Sequence, residues 1–382
     1  MNVSVFCLAK FHAFYLAEQL HKHQALDHLY TSFYGKIASK QNNENIDLPY
    51  AKVRTHLLLA FMAYTRNPFS ELRLWQLFGE WAARYIENED IVVSWGLAAL
   101  PIIEQAKQRN IISIVERGSA HVRVQRDILL EEYEAYGQPT DALMRSFSPQ
   151  RMERELLEYE MVDYISVPSQ FAKRSFVEQG VPEAKIIKIN YGVNLSRFHQ
   201  IPKQDNVFRV IYAGAMTLRK GIQYLLKAFA DLNLPNAELW LIGNISSETE
   251  TFFKRYEGSF RHFGAMPMHE LHKYYAQGSV FGICSLEEGM AMVQPQAMSC
   301  GLPLICTTNT GGDDMITDGV EGFVVPIRNV EAIKEKLLYL YENHEICVAM
   351  GQAAKRKVQQ GLSWDDYGRS VMEAYEGLLK NP

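Results

Sequence analysis

Short apolar runs, each bounded by glycine, proline or polar clusters, alternate along this chain with stretches whose apolar positions recur every three or four residues. That rhythm predicts parallel strands flanked by helices. "NVSVFCLA" (2–9) reads as a strand, "FHAFYLAEQLHKH" as a helix and "HLYTSFY" as a second strand. "DIVVSWG" (90–96), the helix "LAALPIIEQAKQRN", "IISIVERGSAH" (111–121), "VDYISVPS" (162–169), the helix "QFAKRSFVEQG" and "AKIIKINYGV" (184–193) continue it. The polar, proline-bearing "HQIPKQDN" then reads as a linker. A second unit starts afresh with "FRVIYAGAM" (208–216), the helix "KGIQYLLKAFADL", "AELWLIGN" (237–244), "SFRHFGAM" (259–266), "SVFGICSL" (279–286), "GLPLICTT" (301–308) and "EGFVVPI" (321–327), and closes in helices. Two doubly wound α/β domains facing a cleft are expected, with a ligand at the carboxyl ends of their strands.

Length supports this division, since 382 residues suit two domains at roughly 150 residues each. The expected boundaries are 1–200, 201–364 and a final helix, 365–382, returning to the first domain. Apolar residues at 47% and charged residues at 22% exclude long disorder. A net charge of -5 excludes a global basic field for nucleic acid. Five scattered cysteines, never spaced as a metal clip, read as reduced thiols. Lys10 and His12 interrupt any apolar leader, and polar residues and prolines break the uncharged stretch 289–312, so neither a signal peptide nor a membrane-spanning helix is expected. A cytoplasmic location follows as the expectation.

Two stretches offer chemistry. In "YAGAMTLRKGIQYLL" a strand ends at Gly214 and Arg219 and Lys220 stand where a helix starts. Two cations there add to the positive end of the helix dipole and suit a diphosphate, although a solvated helix start reads equally well from these residues alone. In "EEGMAMVQPQAMSCGLPLICT" (287–307), Pro295 is tolerated only in a first turn and Gly301 and Pro303 stop the helix, which is therefore expected from about Val293 to Cys300. Glu288 then lies in the loop before a helix amino terminus, Gln296 one turn on, and backbone N–H groups around Gly289 to Met292 are expected free for an anion or sugar hydroxyls. Glu287 is expected to point away and to tolerate alanine.

"GAMTLRKGIQYLLKAF", "SLEEGMAMVQPQAMSCGLPLICTTNTGGDDMITDGVEGFVVP" and "VDYISVPSQFAKRSFVEQGVPEAKIIKINYGVNLSRF" resemble the retaining family 4 glycosyltransferases, also called glycosyltransferase group 1, which have the GT-B fold. The resemblance covers roughly residues 90 to 380 and is weaker over 10–90. It implies that Glu288 meets the donor sugar, that Met290, Ala291 and Met292 supply amides, and that Gln296 stands where the family has a second glutamate on the ribose. It also implies that Arg219 and Lys220 hold the leaving diphosphate, many members having an arginine where this chain has Ala215. Gly214, Gly289, Val293, Asn244 and Met266 complete the implied donor site. His121, at the end of "VERGSAH", is implied to face the donor sugar with Glu116 and Arg117 as neighbours, while Lys10, Phe11 and His12 fall in a loop used for donor or acceptor.

The reaction implied is hexosyl transfer with retention from a nucleotide diphosphate sugar, UDP- or GDP-linked, to a hydroxyl of a glycan, lipid-linked or small-molecule acceptor in polysaccharide or glycoconjugate biosynthesis. Neither metal nor further cofactor is implied. A catalytically weak GT-B partner or regulatory protein and a GT-B nucleotide-sugar epimerase stay open as alternatives. Residues 52–85, rich in Leu, Phe and Trp with interspersed arginines, admit either a pair of core helices or an amphipathic surface touching an anionic membrane at its inner face.

Overall fold

The computed structural model of the chain describes residues 1–9, 11–32, 34, 48–64 and 71–380. Its first lobe is built on a seven-stranded sheet of β1 (Val3–Cys7), β2 (Leu26–Thr31), β3 (Val53–Thr55), β4 (Ile91–Trp95), β5 (Ile112–Glu116), β6 (Tyr164–Val167) and β7 (Ile186–Lys188), in the order β3-β2-β1-β4-β5-β6-β7. The second lobe is built on β8 (Phe208–Ala213), β9 (Ala237–Ile242), β10 (Arg261–His262), β11 (Val280–Ile283), β12 (Leu304–Thr307) and β13 (Gly322–Val325), in the order β10-β9-β8-β11-β12-β13. The neighbours pair in parallel, as in β1 with β4 and β8 with β11. Helices cover both faces, so β1, β4 and β8 are buried along their whole length and read as mainly apolar runs, each with one polar residue, Ser4, Ser94 and Arg209.

Each sheet reverses its winding once, between β1 and β4 and between β8 and β11. Loops leaving two strands on either side of such a reversal diverge and leave a crevice at the carboxyl ends, the place where this class of sheet takes a ligand. In the second lobe those loops are 214–221 and 284–292, which carry Arg219, Lys220, Glu287 and Glu288.

Strands were less extended than the sequence pattern predicts at the rim. The 259–266 run reduces to the two-residue edge strand β10, and the short β3, half-exposed and without alternation, has no counterpart in the expected pattern. In the 52–85 stretch the helix Glu71–Ala82 buries Trp75, Phe78 and Ala82, as a core helix does. The helix Leu57–Tyr64 leaves Leu58 and Phe61 exposed. Among the described residues no helix is long and apolar enough to cross a membrane, and all five cysteines are buried and free.

The last helix, Trp364–Lys380, lies against the first-lobe helix Ala13–Lys22. Tyr15 stacks on Trp364 at 3.8 Å, Gln19 Nε2 donates to Asp365 Oδ1 at 3.1 Å, and Lys22 pairs with the same carboxylate at 2.9 Å. Asp313 and Asp314 tie the lobes elsewhere. Asp314 pairs with Lys188 and accepts the Gln170 N–H at 2.7 Å, and Asp313 reaches Arg174.

Candidate active site

The two crevice loops of the second lobe are laced together before any side chain is considered. Leu286 N–H donates to the Arg219 carbonyl at 2.9 Å, and a side chain at Gly221 would collide with the Cys284 carbonyl. Gly214 ends β8 at φ +147°, which bends the chain out of the sheet in a conformation side-chain-bearing residues rarely adopt. Next to it the Asn244 carbonyl, past the end of β9, accepts the Met216 N–H at 2.9 Å, and Met266, past β10, takes the Tyr274 hydroxyl on its sulfur at 3.4 Å.

Onto this frame the sequence places two cations and two carboxylates, and they pair one to one. Lys220 Nζ is bound to Glu288 Oε1, and Arg219 Nε lies 2.9 Å from Glu287 Oε2 and 3.0 Å from the Glu287 carbonyl. Glu288 keeps a small exposed fraction, and its N–H is fixed on the Asn309 carbonyl at 2.9 Å. Charge–charge attraction to Glu287 raises the Arg219 pKa above its ordinary value against the opposing effect of burial.

The helix Val293–Ser299 starts and stops as its prolines and glycine predict, with Pro295 in its first turn and Gln296 directly after it. Gln296 is almost wholly buried, and its Oε1 accepts from the Tyr275 hydroxyl at 3.4 Å. One expectation is corrected here. The Ala291 N–H is not free, because it donates to the Thr310 carbonyl at 3.1 Å. Among the described residues the amides of Gly289, Met290 and Met292 have no acceptor, and these three keep the donor capacity expected of the loop.

Glu287 is the larger correction. It does not point into solvent: it is fully buried at the seam between the lobes, accepting the Ala120 N–H on Oε1 and the Gln125 Nε2 on Oε2, both at 2.8 Å, in addition to Arg219. The backbones close in at the next step, since any side chain at Gly289 would collide with the Gly118 carbonyl. Met290 Sδ also lies 3.2 Å from the Tyr191 nitrogen.

In the first lobe, His121 caps the helix Val122–Ala135, its Nδ1 accepting the Arg123 N–H at 3.3 Å, with the rings of Tyr159 and Phe176 at 5.2 and 5.0 Å. His121 adjoins Ala120, whose N–H binds Glu287, so the structure does bring the His121 loop to the Arg219 loop. Burial, helped by the charges of Arg117 and Arg123, pushes the imidazole down to about 4. A depressed histidine contributes stability that is complete above its unfolded value of about 6.5 and is lost as pH falls through the folded value. The His121 ring is therefore expected to stay neutral in an NMR titration from about pH 8 down to about 5.5; a midpoint near 6.5 would contradict this placement.

Glu116 and Arg117 support the loop instead of facing a ligand, which corrects their place as neighbours of the sugar. Glu116 is buried and bonded to His12 Nε2 at 3.1 Å, with Trp95 and Tyr191 beside the imidazole. Arg117 is committed to Glu155, Gln125 and the Ala120 carbonyl. His12 is thus an internal residue, Phe11 is largely exposed with its ring 6.3 Å from Trp75, and Lys10 lies outside the described residues.

Residues 195–357, the stretch that holds both crevice loops, match the family model described as glycosyl transferases group 1. The second lobe is thus similar to the group 1 glycosyl transferases over that stretch. The O-antigen chain mannosyltransferase B of Escherichia coli is 28% identical over 179 residues, covering 44% of this chain and 45% of that protein. The chain spans about half the length of the curated relatives it matches. Over the whole chain the fold is GT-B: sucrose-phosphate synthase from Thermosynechococcus elongatus superposes with a TM-score of 0.76 at 17% identity, covering 100% of both chains. Anabaena HepE, whose structure is a complex with UDP-glucose, superposes at 0.71 and 14%, covering 99% of this chain and 100% of that one.

The helix Val122–Ala135 has no counterpart among the elements expected from the sequence, and with it the partners of the second lobe across the crevice were missed. A signal was present: Val122, Leu129 and Glu132 recur at helical spacing on one face of "VRVQRDILLEEYEA" and are buried together, an acidic residue in line with two apolar ones.

Proposed function

We propose that this chain is a retaining, metal-independent hexosyltransferase that moves a sugar from a nucleoside diphosphate donor to an acceptor hydroxyl. The observation that carries the reading is the pairing of Glu288 with Lys220 at the switch point of the second lobe. A donor brings hydroxyls that replace the lysine on Glu288 and a diphosphate that takes the lysine, so both halves of the pair gain a ligand in one exchange. Lys220, with Arg219 beside it, stabilises the charge that grows on the leaving diphosphate, and the amides of Gly289, Met290 and Met292 on the neighbouring loop, without acceptors among the described residues, are donors left for the same ligand. Gln296 offers the ribose its amide without the charge of a carboxylate.

Retention follows from attack on the same face as departure, the leaving phosphate oxygen accepting the proton of the acceptor hydroxyl as the new bond forms. No protein nucleophile is required. A UDP- or GDP-linked hexose is the donor class; the similar proteins named above, a mannosyltransferase and a complex with UDP-glucose, support it. Tyr50, Leu58 and Phe61, exposed at the rim of the first lobe, support a lipid-linked or glycan acceptor arriving on that side, with peripheral contact at a membrane.

The test is product analysis with and without chelator. An axial-to-axial or equatorial-to-equatorial product by NMR, at a rate unchanged by EDTA, is expected; inversion, or a complete loss restored by a divalent cation, contradicts the proposal.

A further inference from the structure

Glu287 has no part in the exchange just described, yet it is the most constrained carboxylate of the crevice. Its two oxygens accept three donors from three separate segments: the Ala120 N–H beside His121, the Gln125 amide on the first-lobe helix, and Arg219 Nε. Resting on the transferase reading, we propose that Glu287 is a positioning residue that aims the Arg219 guanidinium at the donor diphosphate and locks it to the His121 loop of the opposite lobe.

The guanidinium geometry supports the assignment. Glu287 engages Nε through both its carboxylate and its carbonyl, and among the described residues Arg219 Nη1 and Nη2 have no acceptor. With Nε held, the planar fork has one orientation left, and its two terminal donors remain for phosphate oxygens. The side chain is 34% exposed, whereas Glu287 itself is sealed from solvent, so the ligand can reach the fork and not its anchor. Arg219 and Lys220 are the two cations of the 214–221 loop, so the aim of Arg219 sets half of the positive charge that loop offers.

The backbone around Arg219 is held from the same direction. Leu218 N–H donates to Glu248 Oε1 at 2.8 Å, and the other oxygen of Glu248 takes the hydroxyl of Tyr133, on the helix that His121 caps. The loop that carries both cations is thus referenced to one first-lobe helix at Gln125 through Glu287 and at Tyr133 through Glu248. A carboxylate serving only packing would not need to meet the cation through Nε alone while leaving its outer nitrogens without acceptors.

A double-mutant cycle tests this. Glu287→Gln preserves shape and removes the charge and one acceptor, so kcat is expected to fall roughly 100-fold, with donor KM moving far less, as misaimed groups do. Arg219→Ala should fall by a similar factor, and Glu287→Gln should cost nothing further in the Arg219→Ala background. Gln125→Ala, which releases one lone pair of Glu287 without unpairing it, should give a smaller fall that also disappears in that background; it carries the test should Glu287→Gln fail to fold. Independent, multiplicative losses, or a wild-type kcat in Glu287→Gln, overturn the proposal while leaving the transferase reading standing. Failure of the wild-type chain to consume any UDP- or GDP-sugar defeats that reading, and this role of Glu287 with it.

Discussion

Lys220→Ala is expected to lower sugar transfer roughly 100- to 1,000-fold, the cost of removing one preorganised contact to a developing oxyanion. The lysine stands one residue before Gly221, ahead of the helix Ile222–Leu232, so its charge adds to the amino-terminal dipole where the diphosphate would sit. Among the described residues its ammonium pairs with Glu288, and both side chains retain some exposure. Releasing Glu288 from the lysine therefore leaves the carboxylate in contact with water, and the fold should persist. Initial rates of donor consumption, set beside the thermal midpoint, check this. A rate within a few-fold of wild type in a folded variant removes Lys220 from the site.

The second large effect is on stability. Glu132 is completely buried on the helix Val122–Ala135 and accepts from Arg328 Nε, Gln223 Nε2 and the Tyr224 hydroxyl, each at 2.7 Å. All three donors belong to the second lobe, so one first-lobe carboxylate satisfies an interlobe cluster. Glu132→Ala takes the acceptor from Arg328 Nε and the Tyr224 hydroxyl and one of the two acceptors from Gln223 Nε2, which keeps the Leu218 carbonyl, and breaking a buried pair from one side costs about 3–5 kcal/mol. Arg328 keeps Glu131 and the Ile128 carbonyl, which places the loss toward the lower end of that range. Urea unfolding of the variant measures it; a loss below about 1 kcal/mol would mean that water replaces the carboxylate at the seam.

How far the sequence revealed all this depends on where the partner of each residue lies. β8, β11 and β12 are central strands of a parallel sheet, mainly apolar apart from Arg209 and Thr307, and their pattern is plain because burial acts on every residue in turn. Pro295, Gly301 and Pro303 bounded the helix Val293–Ser299 to within a residue, since backbone geometry is a local matter. Glu288 and Lys220 were legible as a pair of motifs. Glu287 was not: whether a loop side chain meets water or another lobe is decided by Ala120 and Gln125, more than 160 positions away. The side that Glu287 takes is occupied by the first lobe. Likewise the resemblance implies a place for Glu116 beside His121 at the donor sugar, and only the fold places His12 against it. The edge strand β3 has no counterpart in the expected pattern because three largely exposed residues carry no period, and β10 keeps only two residues of the strand expected over 259–266.

The central claim, that the Glu288–Lys220 crevice binds and cleaves a sugar nucleotide, is tested most directly by following a panel of UDP- and GDP-hexoses with the chain by proton NMR, in parallel with Glu288→Gln. The account predicts that wild-type protein releases nucleoside diphosphate from at least one donor, slowly to water and faster with an acceptor, and that the folded Glu288→Gln protein does not. Donors left intact by the wild type, conversion of one nucleotide sugar into its epimer, or equal turnover by the variant would contradict it.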